Sequence, residues 1–202
     1  MILFTVIIPA VTERLGNTPV LAQLHNQAKC LADPKEVEIL VLYDNRQRSL
    51  GLKHQILLEA AQGQFIACLD DDDGIADAYL SEITSAIRQN PGVDVIVFNQ
   101  TSVLNGENPF TVRTGLEYEN EEAHRESGLW VNIARKPWHW CCWSARLAKV
   151  AKFPDGYIDE DHYWLRQMWP LAQSQYRIDK VLHYYRFNSK TSLAAQGKPT
   201  CA

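Results

Sequence analysis

The chain has 202 residues, of which 46% are hydrophobic and 22% are charged, and its formal net charge is −4. These values are ordinary for a globular protein and exclude disorder along the whole chain. The length is sufficient for one α/β domain with a well-formed core.

No apolar run approaches the roughly 20 residues that a membrane-spanning helix needs. The early apolar segment at residues 6–8 is not preceded by cationic residues, so it is interpreted as a strand and not as a signal peptide. The cysteines show no C-x-x-C spacing, which argues against a zinc site or a disulfide framework. We therefore expect a protein that has no membrane span and stays in the cytoplasm with reduced thiols.

The first hundred residues alternate between strands and helices. Continuous apolar, β-branched runs predict buried strands at residues 3–8, 37–42, 65–69 and 93–98. Helices are predicted between them, the first capped by Asn17 with Pro19 in its first turn, the second over 52–62, and the third capped by Asp77. This order predicts a single-domain, three-layer α/β/α sandwich with a mostly parallel central sheet.

The second half has a less regular pattern. Glutamates at residues 117–122 indicate an exposed loop within 99–135. An aromatic segment at 130–143 then precedes a short helix capped by Ser144 and a second helix from about Asp159 to Pro170. A last strand is predicted at 180–187, and the polar residues after it are expected to form a frayed tail.

Four adjacent aspartates, Asp70 to Asp73, follow the third predicted strand. Neighbouring carboxylates repel one another by about 1 kcal/mol even in water, so such a run is tolerated most easily when a cation is bound. Residues two apart on a strand point the same way, which makes Asp70 and Asp72 candidates for a shared ligand set. Hard oxygen ligands suit Mg²⁺ or Mn²⁺, which would also hold a diphosphate. The alternative is a solvated acidic turn.

Other candidate residues lie near the ends of predicted elements. Asp44 follows the second strand at the same sheet edge, and it either forms a turn or holds a nucleotide. The acidic residues 159–161 open a helix, which they cap unless Asp161 serves as a base toward an acceptor hydroxyl. His183 in the last strand is either packed and hydrogen-bonded or a third metal ligand.

The segment after the predicted loop combines aromatic and basic residues. Trp138, His139, Trp140 and Trp143 either stack against a sugar or pack in the core. Residues 125–152 carry six Lys/Arg against one glutamate, whereas residues 1–124 are acidic overall. This asymmetry is compatible with a local surface that faces an anion.

In this order, the motifs resemble those of the family 2 glycosyltransferases with the A-type fold. The residues that carry the resemblance are FTVIIP at 4–9, EILVLYD at 38–44, GLKHQ at 51–55, AAQGQFI at 60–66, LDDDD at 69–73, FPDGY at 153–157, ED at 160–161 and YR at 185–186. The resemblance covers residues 3–192 except for the stretch at 99–135. It implies a nucleotide-diphospho-sugar transferase-like fold, with a nucleotide-sugar-binding half at 1–98, an acceptor-side half at 99–192 and a tail at 193–202.

The resemblance also implies an activity, namely transfer of a sugar from a nucleotide diphosphate-sugar, usually a UDP-sugar, with inversion at the anomeric carbon. The acceptor hydroxyl would belong to a glycan, a protein or a small molecule. By motif match, Asp44 would hold the nucleotide, while Asp70 and Asp72 would hold Mn²⁺ or Mg²⁺ and the diphosphate. Asp161, with Glu160 beside it, would carry the catalysis.

Further residues are assigned to the same site. Pro9 and Asp71 are expected in the donor site, and Lys53 or Arg46 would add positive charge near the phosphates. His183, or Asn188 after the closing Tyr-Arg, would complete the metal site.

Three other functions stay open. One is a glycosyltransferase that acts on nucleic acid, which the basic, tryptophan-containing stretch favours and the pI of 5.9 opposes. A second is a nucleotidyltransferase of similar sheet order, although residues 10–16 are a poor version of its glycine- and lysine-rich loop. The third is a non-catalytic module that binds metal or sugar.

Overall fold

The computed structural model describes residues 1–119, 121–156, 158–187 and 189. The strands are β1 (Phe4–Val11), β2 (Val37–Asp44), β3 (Phe65–Cys68), β4 (Gly74–Ile75), β5 (Val95–Leu104), β6 (Phe110–Thr114), β7 (Glu122–Glu126), β8 (Leu129–Arg135), β9 (Cys142–Ser144) and β10 (Gln175–Phe187). The helices are α1 (Pro19–Lys29), α2 (Leu50–Ala60), α3 (Tyr79–Gln89), α4 (Ala145–Ala148) and α5 (Glu160–Met168), with 3₁₀ turns at Thr12–Arg14 and Pro34–Glu36.

The described strands form one mixed sheet in the order β2-β1-β3-β9-β5-β6-β8-β7, and β10 pairs with β4 and β5. β1 is parallel to both β2 and β3, and β5 is parallel to β10. The connection through α1 runs from β1 to β2 on one side of it in the sheet. The connection through α2 runs back across β1, from β2 to β3 on the other side. Because such crossovers are right-handed, α1 and α2 cover opposite faces of the sheet. The predicted three-layer sandwich with a mostly parallel centre is confirmed.

The sequence predicted that the first strand ends before Pro9. In the structure β1 continues through Pro9 to Val11. The carbonyl oxygen of Ile7 accepts from the Leu69 amide at 3.0 Å, so residue 9, two positions on, faces the β3 side as well. The β1–β3 pairing ends at Ile7 and Cys68. Pro9, which has no N–H, therefore removes no bond from the sheet.

Two predicted helix caps are wrong. α1 begins after Thr18 and not after Asn17, with Pro19 at its first position. α3 begins after Ala78, which makes no side-chain cap, and not after Asp77. By contrast, the hydroxyl of Ser49 accepts from the Leu52 amide at 3.1 Å and caps α2.

The irregular stretch 99–135, within which a loop was predicted at the glutamates of residues 117–122, holds the second half of β5 together with β6, β7 and β8, and Glu122 begins β7. β7 is the last strand of the sheet, and all five of its residues are exposed. An exposed edge strand has no apolar side to bury, so its sequence lacks the alternation from which strands are predicted.

The core lies between the sheet and the two helical layers, and its largest fully buried side chains include Trp143, Trp164 and Tyr79. No helix in the described part of the chain has the length and apolar character to span a bilayer. The predicted tail at 193–202 lies outside the described residues.

Candidate functional site

The carboxyl ends of β1, β2 and β3 bring the predicted donor residues together. Val11, the last residue of β1, is the register partner of Asp44 at the end of β2. On its other side, the amide of Val11 donates to the Asp71 carboxylate at 3.3 Å. Asp44 and the aspartate run therefore flank the end of β1, at the sheet edge where ligands bind in open α/β folds. Pro9 lies buried in β1, two residues before this end.

Asp44 is a buried carboxylate with several donors around it. It accepts from the amides of Arg46 and Arg48 at 3.1 and 3.0 Å and from Lys53 Nζ at 3.2 Å. Lys53 is itself 4% exposed and also donates to the Ala10 carbonyl at 2.9 Å. Burial opposes ionisation, but these hydrogen bonds outweigh it and hold the pKa of Asp44 below its usual value. Through its contacts with Ala10 and Asp44, Lys53 joins the ends of β1 and β2 to α2.

The four aspartates of the run have different surroundings. Asp71 is buried and is bound by the Arg14 guanidinium as well as by the Val11 amide. Asp73 is 2% exposed and accepts from the Asp70 amide at 3.0 Å. Two of the four carboxylates are thus committed to partners in the protein itself.

Asp70 and Asp72 are bound less completely by the rest of the protein. The Asp70 carboxylate is half-buried and has no hydrogen-bond or ion-pair partner among the described residues. Burial, followed by the charges of Asp73 and Asp72, raises the pKa of Asp70 well above its usual value. Asp72 is exposed and lies 3.1 Å from Arg14. A half-buried carboxylate without a partner, next to other carboxylates, fits a bound cation.

The number of side chains that can bind a cation here indicates which kind of metal site the residues can form. No group of three or more His, Cys, Asp or Glu side chains in the described part of the chain is arranged to hold a metal ion. Mg²⁺ is commonly held by one or two carboxylates together with substrate phosphates. Asp70 and Asp72 fit that kind of site, which phosphate oxygens of a ligand would complete.

His183 is fully buried and contacts the aspartate run through Asp73. Its Nε2 lies 2.8 Å from Asp73, its Nδ1 lies 3.0 Å from the Gln100 side-chain oxygen, and its ring stacks on Trp140 at 5.3 Å. Both nitrogens are thus engaged, and the predicted role of His183 as a metal ligand would require one of these contacts to break. The alternative ligand, Asn188, lies outside the described residues.

Three acidic residues, Asp159 to Asp161, lie at the start of α5, and they differ in their contacts. Asp159 precedes the helix with a left-handed φ of 60°. Its carbonyl oxygen accepts from the Tyr163 amide at 2.9 Å, but its side chain does not cap the helix. The Asp161 side chain is 24% exposed and lies 3.6 Å from Nε2 of the buried His139. The carbonyl oxygen of His139 accepts from the amide of Cys68, the last residue of β3, at 3.0 Å, so Asp161 lies near the strand end that leads into the aspartate run.

Glu160 points into the protein and meets His54 from α2, with Oε1 and Nδ1 3.8 Å apart. Burial raises the pKa of Glu160 to about 7 and lowers the pKa of His54 to about 3. Neither ring nitrogen of His54 has a hydrogen-bond partner, and the ring stacks on Phe153 at 4.7 Å. α2 lies close to the segment before α5 and to its first residue because of Gly51, where a Cβ would lie 1.9 Å from the Pro154 carbonyl oxygen and 3.2 Å from the Glu160 Cβ.

Tyr185, to which the sequence assigned no role, lies two residues after His183 in β10 and therefore on the same face of that strand. Tyr185 is half-buried in β10. Burial comes first and the charges of Asp70, Asp73, Asp72 and Asp161 follow among the causes that raise its pKa to about 12. The available signal was the Tyr-Arg pair of the closing strand, which was used only to recognise that strand.

The predicted aromatic wall divides into two parts. Trp140 and Trp143 are buried in the core. Trp138, in contrast, forms a cluster with His162 and Trp169, with ring centroids 5.6 and 5.9 Å from its own. This cluster lines a pocket of about 480 Å³ beside the start of α5, together with Arg135, whose guanidinium lies 3.6 Å over the Trp138 ring.

Most cations of the basic stretch 125–152 have partners in the protein. The contacts are Arg125 over Trp130, Arg135 with Glu121, Arg146 with Asp94, Lys149 with the Ala61 carbonyl and Lys152 with Glu59. The stretch therefore does not present its full charge as one surface.

No family model and no curated protein matches this sequence. Among solved structures, the fold is similar to that of residues 1–349 of S. aureus TarS, with a TM-score of 0.64 and 17% identity over 92% of this chain and 60% of TarS 1–349. The same TarS segment in complex with UDP-GlcNAc matches with a TM-score of 0.64 and 16% identity, over 98% of this chain and 62% of that one. Its complex with UDP matches with a TM-score of 0.61. This chain thus spans about three fifths of the TarS segment, and it has the A-type glycosyltransferase-like fold that its motifs predicted.

Proposed function

We propose that this protein transfers a sugar from a nucleotide diphosphate-sugar to an acceptor hydroxyl, with inversion at the anomeric carbon. The observation that carries the proposal is that Asp44 and the aspartate run, with its partnerless Asp70, flank the end of β1, while Asp161 lies near the end of the adjacent β3. A nucleotide-binding group, a site of positive charge for the leaving diphosphate and a base are the three elements by which such a transfer can be catalysed.

The donor is assigned to the carboxyl ends of β1 and β2, where Asp44 would accept from the base or ribose of the nucleotide. Lys53 neutralises Asp44 and holds it in place through the contact of 3.2 Å. A uridine nucleotide is supported by the complexes of TarS with UDP-GlcNAc and UDP. Tyr185, on the same face of β10 as His183, is the candidate to contact the sugar or its phosphates.

The diphosphate is assigned to the aspartate run. Asp70 and Asp72 would hold Mn²⁺ or Mg²⁺, which supplies positive charge to the leaving phosphate when it is bound. His183 and Asp73 keep the run in place, because Asp73 binds the Asp70 amide at 3.0 Å and His183 at 2.8 Å. This support lets the protein hold two carboxylates close together although they repel one another.

The acceptor is assigned to the pocket beside the start of α5, and Asp161 would take the proton from its hydroxyl. Asp161 is adjacent in sequence to His162, which lines this pocket, and it contacts His139, whose carbonyl oxygen binds the Cys68 amide just before the aspartate run. His139, 3.6 Å from Asp161, would stabilise the orientation of the carboxylate. The half-buried ring of Trp169 offers an apolar surface against which a sugar acceptor can pack, whereas Arg135 already covers the Trp138 ring.

The experiment that tests the proposal separates binding from transfer. The wild type and Asp161→Asn are incubated with UDP-sugars and Mn²⁺, and release of UDP to water or to added acceptors is measured. We expect Asp161→Asn to keep the donor-induced rise in melting temperature and to lose at least about 100-fold in UDP release.

Asp179→Asn is the matched control, because Asp179 is an exposed aspartate of β10 and we expect it to leave UDP release unchanged. Wild-type rates for Asp161→Asn would contradict the base assignment. Release of pyrophosphate in place of UDP would instead favour nucleotidyl transfer, and no turnover of any donor would favour a binding module.

A further inference from the structure

The guanidinium of Arg14 lies against the aspartate run. Arg14 is the last residue of the 3₁₀ turn that follows β1, and it binds Asp71 directly while its Nη1 lies 3.1 Å from Asp72. The preceding residue, Glu13, accepts from Arg46 Nε at 3.0 Å. The short turn Thr12–Arg14 is therefore tied to the loops that follow both β2 and β3, across the proposed donor site.

The two partners of Arg14 differ in what else they do. Asp71 is buried, and the Val11 amide also binds it, so its contact with Arg14 anchors the turn. Asp72 is exposed, and it is one of the two carboxylates that fit a cation. A guanidinium at 3.1 Å occupies part of the coordination space of Asp72 and repels a second positive charge there.

We infer that Arg14 is a resident counter-cation that competes with the divalent ion for Asp72 and yields to it when a diphosphate arrives. The inference rests on the proposed function. In the free protein, Arg14 neutralises Asp71 and Asp72 and weakens binding of metal alone. When metal and nucleotide bind together, Arg14 keeps Asp71, releases Asp72 and donates to the diphosphate, which offers the charge that Asp72 provided before. Metal and nucleotide consequently bind with positive coupling.

Removal of the charge at Arg14 has two effects of opposite sign. Arg14→Gln retains a hydrogen-bond donor for Asp71 but no longer repels a cation at Asp72. Mn²⁺ alone should therefore bind about fivefold more tightly, which corresponds to loss of one partly exposed ion pair. UDP in the presence of Mn²⁺ should bind about tenfold more weakly, because the diphosphate loses a charged donor.

The experiment measures Mn²⁺ binding from the electron paramagnetic resonance signal of the free ion, with and without UDP, and UDP binding by calorimetry. Arg14→Lys keeps the charge but not the planar guanidinium whose Nη1 contacts both carboxylates, and we expect its affinity for Mn²⁺ alone to stay close to that of the wild type. Arg88→Gln is the matched control, because Arg88 pairs with Glu36 at an exposed site away from the aspartate run, and it should change neither affinity. Circular dichroism verifies that each variant is folded.

Opposite shifts in Arg14→Gln, with a smaller mutual enhancement between Mn²⁺ and UDP, are the expected result. Unchanged affinities, or a parallel loss of both, would overturn the role of Arg14. Should Arg14→Gln be unfolded, Arg14→Lys decides the matter, since a large change in its affinity for Mn²⁺ alone contradicts the charge argument. If the wild-type protein binds neither Mn²⁺ nor UDP, the proposed function fails, and that outcome is distinct from normal wild-type binding that Arg14→Gln does not alter.

Discussion

Replacement of Glu160 by glutamine should change how the stability of this protein depends on pH. Glu160 is 5% exposed, and burial raises its pKa from 4.5 to about 7. Below pH 4.5, the native and unfolded states both carry the proton. Between these values the unfolded state loses the proton while the native state keeps it, so the free energy of unfolding falls as pH rises. The loss is complete above the folded pKa and amounts to about 3 kcal/mol.

His54 acts in the opposite direction over an overlapping range. Burial lowers the pKa of His54 from 6.5 to about 3, so the native state stays neutral while the unfolded state takes up a proton. The free energy of unfolding therefore rises with pH across this interval. In the wild type the two pH dependences of the free energy of unfolding cancel where the intervals overlap. There, unfolding lets His54 bind a proton and Glu160 release one, so the total number of bound protons does not change.

Glu160→Gln removes one slope and leaves the other. Urea unfolding followed by tryptophan fluorescence, repeated from pH 4.5 to 8, should show the variant gaining about 3 kcal/mol relative to the wild type as pH rises. Glu107→Gln, at an exposed turn, is the matched control and should follow the wild-type profile. Parallel curves for Glu160→Gln and the wild type would refute the burial argument.

Two further predictions concern buried charges at opposite edges of the sheet. Lys53→Met removes the partner of Asp44 and should lower the free energy of unfolding by about 3 kcal/mol, less when combined with Asp44→Asn, as measured by urea denaturation. Strictly additive effects would contradict the direct contact. Asp94, before β5, accepts from the amides of Gln173 and Ser174 at 2.8 and 3.0 Å, so Asp94→Ala should cost about 3 kcal/mol and leave UDP affinity unchanged. A stable variant, or one with weakened UDP binding, would refute this interpretation.

The sheet could be predicted where strands are buried on both faces. β1 and β3 are buried along their whole length, and such strands are continuous apolar runs in the sequence. β5 was predicted too short, because its second half contains polar residues such as Gln100 and Ser102. The structure buries both residues against the site, where Gln100 contacts His183. Polar residues that are buried because they contact site residues interrupt the apolar pattern of a strand, so the sequence alone predicts a loop there.

The site could be predicted to the extent that topology alone brings residues together. Asp44 and the aspartate run meet because both follow parallel strands of one sheet. The ion pairs of Arg14 and the contact between His54 and Glu160 depend on how loops and helices pack, and they join residues far apart in the chain. No local pattern marks Arg14 as a partner of Asp72 or distinguishes the inward Glu160 from the outward Asp161.

The most direct test of the central claim is a calorimetric titration of UDP into the wild-type protein and into Asp70→Asn, with Mn²⁺ and with chelator. If the aspartate run holds a cation and, through it, a diphosphate, UDP should bind the wild type with Mn²⁺ and lose at least about tenfold in affinity with chelator or in Asp70→Asn. Absence of UDP binding, or binding that is indifferent to both metal and Asp70, would contradict the account.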